Sequence, residues 1–199
     1  MKSLKSIACS LAPGLVLVAL LAAPGHGAAD TLSRVVDDFS NAEVNSMGVA
    51  RQFLSDSMAG GGTTMSPKVA DGILTVSGEI APPRGQPGWA SSVLILDSQG
   101  LPQDASAFEG IRLLVKINKG MISVSANSTE VTNFDYHAAP ILVKSDGQFH
   151  EVEIPFDTMK RAWSEQTSLN TRTIASLSIV AFDVQNGSYD FELEEVGFY

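Results

Sequence analysis

The chain has 199 residues and a formal charge of −9, with 22 acidic side chains against 13 lysines and arginines. An acidic chain without a basic cluster argues against nucleic acid or anionic lipid as a partner. Its single cysteine, Cys9, excludes an internal disulfide framework.

Residues 1–29 have the pattern of a signal peptide. Lys2 and Lys5 precede an apolar stretch over residues 11–23, and small residues follow it as far as Ala29. A proline and a glycine interrupt the apolar stretch, which leaves it too short for a comfortable membrane anchor. We therefore expect cleavage after Ala29 and a periplasmic or secreted protein with no membrane span. Loss of the two lysines changes the charge from −9 to −11.

Residues 30–199 suffice for one domain with an apolar core. Short strands separated by Gly, Pro, Asp and Ser are predicted along this region. The first begins in VVDDF, and the later ones cover 73–80, 110–118, 121–127, 149–156, 176–184 and 189–199. We expect Asn118–Gly120 to form a hairpin turn and residues 158–163 a turn of helix.

Three strands carry positional information. Pro155 restricts strand 149–156 to the edge of a sheet, or places the proline at the strand end. Strand 176–184 is apolar on both faces and belongs in the middle of a sheet. In the last strand Phe191 and Leu193 lie at odd positions and Val196 and Phe198 at even ones, so a bulge near Glu194 and Glu195 is required if all four are to face the core. The pattern predicts an all-β sandwich or jelly roll.

Catalytic motifs are weak in this sequence. Residues 30–199 contain no cysteine and no GxSxG elbow, and His137 and His150 suit structural roles better than a base or a zinc site. The glycine run over residues 59–64 lacks the lysine of a phosphate-binding loop, so we expect a surface loop. We also expect Trp89 to be in the core.

Carboxylates near the two ends of the domain are candidate calcium ligands. The first and last strands of a jelly roll often lie side by side, which would bring Asp37 or Asp38 close to Asp190 or Glu192. A structural calcium ion would relieve the repulsion between them. The alternative is an ordinary acidic strand surface. Asp37 and Asp38 point to opposite faces of a strand and therefore do not suit a glycosidase pair.

Exposed aromatic residues are candidates for a carbohydrate platform, because sugar C–H groups pack on aromatic rings. Trp163, in a polar loop, and Tyr136 are the best candidates, with the neighbouring His137 as a possible further contact.

Seven short motifs follow one another along the chain: VVDDFSN, FLSDSMAGGGT, DGILTVSGEI, GWASSVLIL, FEGIRLLVKINKG, FHEVEIPFDTM and FELEEVGFY. In their order and spacing they resemble the complex I intermediate-associated protein 30 family. The resemblance implies a galactose-binding-like β-jelly roll. Similar patterns, including DDF and EVEIPF, occur in family 11 carbohydrate-binding modules. The family's MGG turn is here Met58-Ala59-Gly60-Gly61, with one residue inserted, and the aromatic of its GGFAS-like strand is Trp89.

The mitochondrial members of that family resemble chaperones of complex I assembly, whereas this chain carries an export signal. We therefore expect an exported, non-enzymatic module that binds a protein partner and assists assembly or stability of an envelope complex. The alternative hypothesis is a jelly-roll module that binds carbohydrate. No cofactor is expected beyond the possible calcium ion.

Overall fold

The computed structural model describes residues 32–199, in which apolar and polar side chains alternate along most strands. Alternation places apolar side chains on one face of each sheet and polar ones on the other. The strands form two antiparallel sheets, whose apolar faces share one core. The all-β sandwich prediction is confirmed. The predicted signal peptide, residues 1–29 with Cys9, lies outside the described residues.

The strands of the first sheet, numbered in chain order through both sheets, are β1 (Val35–Asp37), β3 (Ser66–Ala70), β4 (Ile73–Ile80), β6 (Gly110–Lys119), β9 (His150–Pro155) and β12 (Gly187–Phe198). They are ordered β3-β4-β12-β6-β9, with β1 also paired to β12. The expected neighbourhood of the first and last strands is confirmed, because Val35 pairs with Gly197.

The strands of the second sheet are β2 (Gln52–Ser55), β5 (Gly88–Ile95), β7 (Met121–Ser128), β8 (His137–Pro140), β10 (Lys160–Arg161) and β11 (Ile174–Asp183). They are ordered β10-β8-β7-β11-β5-β2. Single 3-10 turns occur at Asp56–Ala59, Phe156–Thr158 and Thr171–Thr173. Within residues 32–199, no helix is long and apolar enough to cross a membrane.

The three positional predictions are confirmed. Strand β9, which ends at Pro155, lies at the edge of the first sheet, and β11 lies in the middle of the second. The pairing of β12 with β6 shifts register between Leu193 and Glu195. That shift lets Phe191, Leu193, Val196 and Phe198 all face the core, where each is at most 1% exposed.

Two local predictions are wrong. Strands β6 and β7 are consecutive, but β6 belongs to the first sheet and β7 to the second, so Asn118–Gly120 connects two sheets and does not close a hairpin. Gly120 has φ +86°, a conformation suited to a tight turn of either kind. Residues 158–163 contain strand β10, and the helical turn lies just before it at Phe156–Thr158.

Candidate functional site

Asp37 forms a buried ion pair with Arg51. Its carboxylate accepts hydrogen bonds from Arg51 Nε at 2.6 Å and Nη2 at 2.8 Å, and from the Phe39 N–H at 2.9 Å. The side chains of Asp37 and Arg51 are 0% and 2% exposed. The guanidinium also lies 5.2 Å from the centre of the Phe39 ring. Asp37 is therefore paired with a cation of the chain itself and stabilises the end of the first strand, where the chain turns at Phe39.

The predicted group of calcium ligands is not assembled. Asp37 pairs with Val196, six residues along β12 from Asp190, which separates the two by about 20 Å at ordinary strand rise. Asp38 is exposed and accepts hydrogen bonds from Ser40. Those bonds lower the pKa of Asp38.

The two carboxylates of β12 have other partners. Asp190 accepts a hydrogen bond from Asn118 at 2.8 Å, and Glu192 pairs with Lys116 at 2.7 Å. No cluster of three or more His, Cys, Asp or Glu side chains suited to a metal ion occurs in residues 32–199. The first and last strands are neighbours, but the four carboxylates do not meet, because Asp37 pairs near the end of β12 and Asp190 and Glu192 lie nearer its start.

The glycine run encloses a buried carboxylate. Asp56 accepts hydrogen bonds from Thr63 N at 3.0 Å, Thr63 Oγ1 at 2.7 Å and Trp89 N at 3.2 Å. A Cβ at Gly61 would collide with the Asp56 carboxyl group. One amide of this loop, that of Thr63, therefore binds an anion of the chain itself, and most of the loop is exposed, as the prediction of a surface loop requires. Trp89 itself is half-buried, and the prediction of a core position for it is wrong.

The two histidines of the described chain have separate structural settings. His137 is buried, and its Nε2 lies 2.8 Å from the carbonyl oxygen of Thr167. His150 is half-buried, and its Nε2 lies 2.9 Å from Asp146 Oδ1. Neither contacts a serine in an arrangement of nucleophile and base.

The structure brings Tyr136 and Trp163 together. Their rings form an edge-to-face pair with centroids 5.3 Å apart, and Trp163 is 61% exposed. Phe134, two residues before Tyr136, is 93% exposed. We call these three residues the aromatic corner. His137 does not belong to it, because His137 is buried and its ring contacts the Thr167 carbonyl oxygen instead.

A buried carboxylate organises the aromatic corner. Asp135 accepts hydrogen bonds from Arg161 Nε at 2.9 Å and from the backbone N–H groups of Tyr136, Ala162 and Ser164 at 2.8 to 3.0 Å. Burial opposes ionisation, but these hydrogen bonds outweigh it and hold the pKa of Asp135 far below its usual value. Burial, with a contribution from the charge of Asp135, raises the pKa of Tyr136.

The face of the second sheet that points away from the core is lined with small residues, and those in its middle are themselves buried. Ser178 on β11 pairs with Ser125 on β7, and Val180 pairs with Ser91 on β5 and Ser123 on β7. Asn127 Nδ2 donates to Ser178 Oγ at 2.8 Å. Larger side chains lie at one end of this surface, where Phe182 pairs with Trp89 and Met121. The middle of this surface carries no row of aromatic rings in the described structure.

An apolar groove of about 530 Å3 opens at the Met121 end of the sheet. Its lining includes Met121, Pro140, Leu142, Lys144 and Phe182. Leu142 is 82% exposed and Met121 is 48% exposed. Among its lining residues, all within the described range, Lys144 is the only charged one. A concave apolar surface of this kind favours contact with another molecule.

Sequence reasoning missed Phe134, Asp135 and the apolar groove. Phe134 and Asp135 stand in the same FDYH segment as Tyr136, but only the pairing of β8 with β10 brings Arg161 beside Asp135. Leu142 gave a partial signal, because it follows Pro140 in a short apolar run outside any alternating strand.

Comparison with protein families finds a match over residues 38–193 to the model of Complex I intermediate-associated protein 30. A comparison with curated protein sequences finds no significant match.

Solved structures show the same fold. The family 11 carbohydrate-binding module of the cellulosomal cellulase Lic26A-Cel5E of Clostridium thermocellum is 19% identical, with a TM-score of 0.57 over 80% of this chain and 92% of that one. The Clostridium thermocellum module in complex with a beta-1,3-1,4-mixed-linked tetrasaccharide is 18% identical, with a TM-score of 0.56 over 80% of this chain and 94% of that one. The agarase AgWH50C is 8% identical, with a TM-score of 0.55, and the match covers 82% of this chain but 24% of the agarase.

Proposed function

Since the chain belongs to the Complex I intermediate-associated protein 30 family, we propose that it is an exported, non-enzymatic module that holds a protein partner during assembly of an envelope complex. Export rests on the signal-peptide pattern of residues 1–29. A non-enzymatic role is supported by the two histidines of the described chain, whose nearest partners are a backbone carbonyl group and Asp146.

The apolar groove is the observation that carries this proposal. A glycan-binding face would be expected to offer a row of aromatic rings, whereas a protein-binding face is expected to be a mixed apolar surface. The groove offers Met121, Pro140, Leu142 and Phe182. Leu142 is 82% exposed, and an exposed leucine next to a concave apolar surface suits the apolar anchor of a partner.

Crosslinking in the periplasm tests the proposal. The protein is expressed with its signal peptide, crosslinked mildly and purified, and co-purifying proteins are identified by mass spectrometry. We expect a defined partner whose recovery falls when Leu142→Ser is introduced. Val184→Ser is the matched control, because Val184 is a 72% exposed aliphatic residue outside the groove. Recovery of the protein alone at every attempt, or equal loss in both variants, would count against the proposal.

Carbohydrate binding is the second candidate, favoured by the Tyr136–Trp163 pair. Trp163 is exposed beside polar side chains, as a sugar-stacking ring usually is. Affinity electrophoresis in soluble glucans tests it, with Trp163→Ala as the disrupting variant and Leu142→Ser as the control. We expect retardation of the parent protein and of Leu142→Ser but not of Trp163→Ala. No retardation by any glucan would remove this candidate.

A further inference from the structure

Phe134 combines full exposure with an unfavourable backbone conformation. Its side chain is 93% exposed, and its φ is +62°. A left-handed conformation brings Cβ too close to the neighbouring carbonyl group in every residue except glycine, and bulky residues tolerate it poorly. An exposed phenylalanine obtains no compensation from burial. Such an outlier persists when the surrounding structure over-determines it, and it points to a function.

The surrounding structure does over-determine it. The two neighbours of Phe134 are both bonded to the segment of residues 161–164. Asn133 donates to Ser164 Oγ at 2.8 Å and accepts from Arg161 Nη2 at 3.0 Å. Asp135 accepts from Arg161 Nε at 2.9 Å and from Ser164 N at 3.0 Å. The phenyl ring is therefore exposed on a loop that is anchored on both sides of Phe134 through the side chains of Asn133 and Asp135.

The exposed charged residues that flank the aromatic corner in the sequence are two glutamates and Lys160, whose Nζ donates to a backbone carbonyl group. Glu130 and Glu165, in the two segments that form the aromatic corner, are both exposed. The charge of Arg161, also in this region, is already matched by its buried pairing with Asp135. The corner therefore presents an aromatic ring with acidic surroundings, which opposes approach to an anionic membrane surface.

We propose that Phe134 is an anchor that enters an apolar pocket with a basic rim on a partner protein. This inference rests on the proposed function, because it requires that the chain binds a protein. An aromatic side chain on an anchored loop suits that role, since only its two side-chain torsions have to be ordered when it is buried. Aromatic residues that fill a pocket at the centre of an interface often dominate binding energy. Acidic flanks select a basic rim and suppress other partners.

The test begins with a photo-crosslinking benzophenone amino acid placed at residue 134 in cells, and at residue 142 in a parallel experiment. The crosslinked protein is identified by mass spectrometry and purified, and its affinity for the parent protein is measured by calorimetry. We expect Phe134→Ala to weaken binding by about 30-fold or more. Met58→Ala, at a 74% exposed position outside the aromatic corner, should leave the affinity unchanged. Binding should weaken with rising salt.

Thermal unfolding separates an anchor from a structural residue. Since the ring of Phe134 is exposed, Phe134→Ala should unfold within about 2 °C of the parent. Phe134→Gly should unfold about 2–4 °C above Phe134→Ala, because glycine accepts the positive φ. Both variants should lose the partner equally. A large fall in melting temperature in Phe134→Ala would show that the ring is structural and overturn the proposal.

The outcomes also separate this inference from the proposed function. A partner crosslinked at residue 142 but not at 134, or bound equally by Phe134→Ala, overturns the anchor and leaves the proposed function standing. No crosslinked protein at either position overturns both. Retardation in glucan gels that is lost in Phe134→Ala would identify a glycan as the occupant and overturn the anchor.

Discussion

Removal of Asp37 should destabilise the fold more than any ordinary surface substitution. Asp37→Ala deletes the acceptor of two hydrogen bonds from Arg51 and of one from the Phe39 N–H. The guanidinium of Arg51, with its side chain 2% exposed, would be left buried without a counter-charge. Breaking one half of a buried pair costs about 3–5 kcal/mol. At about 2–4 °C per kcal/mol for a domain of this size, the melting temperature should fall by about 6–20 °C.

Urea denaturation of four proteins measures the effect: the parent, Asp37→Ala, Arg51→Met and the double variant. We expect the double variant to be at least as stable as Asp37→Ala, because it no longer buries an uncompensated charge. Glu192→Ala is the control, since it breaks the more exposed pair with Lys116 and should cost about 0–1 kcal/mol. Equal losses in Asp37→Ala and Glu192→Ala, or simple additivity in the double variant, would refute the reasoning.

Three further predictions follow from the same contacts. Gly61→Ala should lower the melting temperature strongly, because its Cβ would collide with the buried Asp56 carboxyl group; Gly187→Ala, where the space is open and φ is not positive, is the control for a glycine-to-alanine substitution. The stabilisation due to Asp135 should be fully present above about pH 4 and be lost as pH falls further, because its pKa is lowered in the folded state. The difference in melting temperature between the parent and Asp135→Asn should therefore be constant near neutral pH and shrink in acid; a constant difference down to pH 2 would contradict this. Chelator should leave the melting temperature unchanged, since the four acidic candidates for a calcium site do not meet, and a fall would reveal a metal site.

The strand pattern was predictable because strand structure is encoded locally. Alternation of apolar residues marks the buried face, and the change of parity in β12 requires a bulge wherever all core residues are to be buried. Pro155 cannot donate a hydrogen bond and so identifies an edge. The motif resemblance to the family was likewise visible, because it depends on the order of short motifs along the chain.

Contacts between distant segments were less accessible. Arg51 lies 14 residues after Asp37, and Arg161 lies 26 residues after Asp135, so nothing local distinguishes these partners from other charged residues. Asp37 and Asp38 are adjacent in the sequence, yet one is buried in an ion pair and the other is exposed at a turn. The hairpin prediction at Asn118–Gly120 was wrong for a related reason. The same tight turn can lead either into a strand that pairs with the preceding one or into a strand of the opposite sheet.

The sequence by itself therefore determined the fold class, the positions of most strands and the family, because these depend on periodicity, turn residues and motif order. The tertiary structure alone decided which polar groups meet and which aromatic rings reach solvent. Those outcomes depend on strand register and sheet order, which are fixed only when the two sheets pack. Phe134 shows the difference: its residue type is ordinary, but it is exposed with a positive φ between two neighbours that Arg161 and Ser164 bind from another part of the chain.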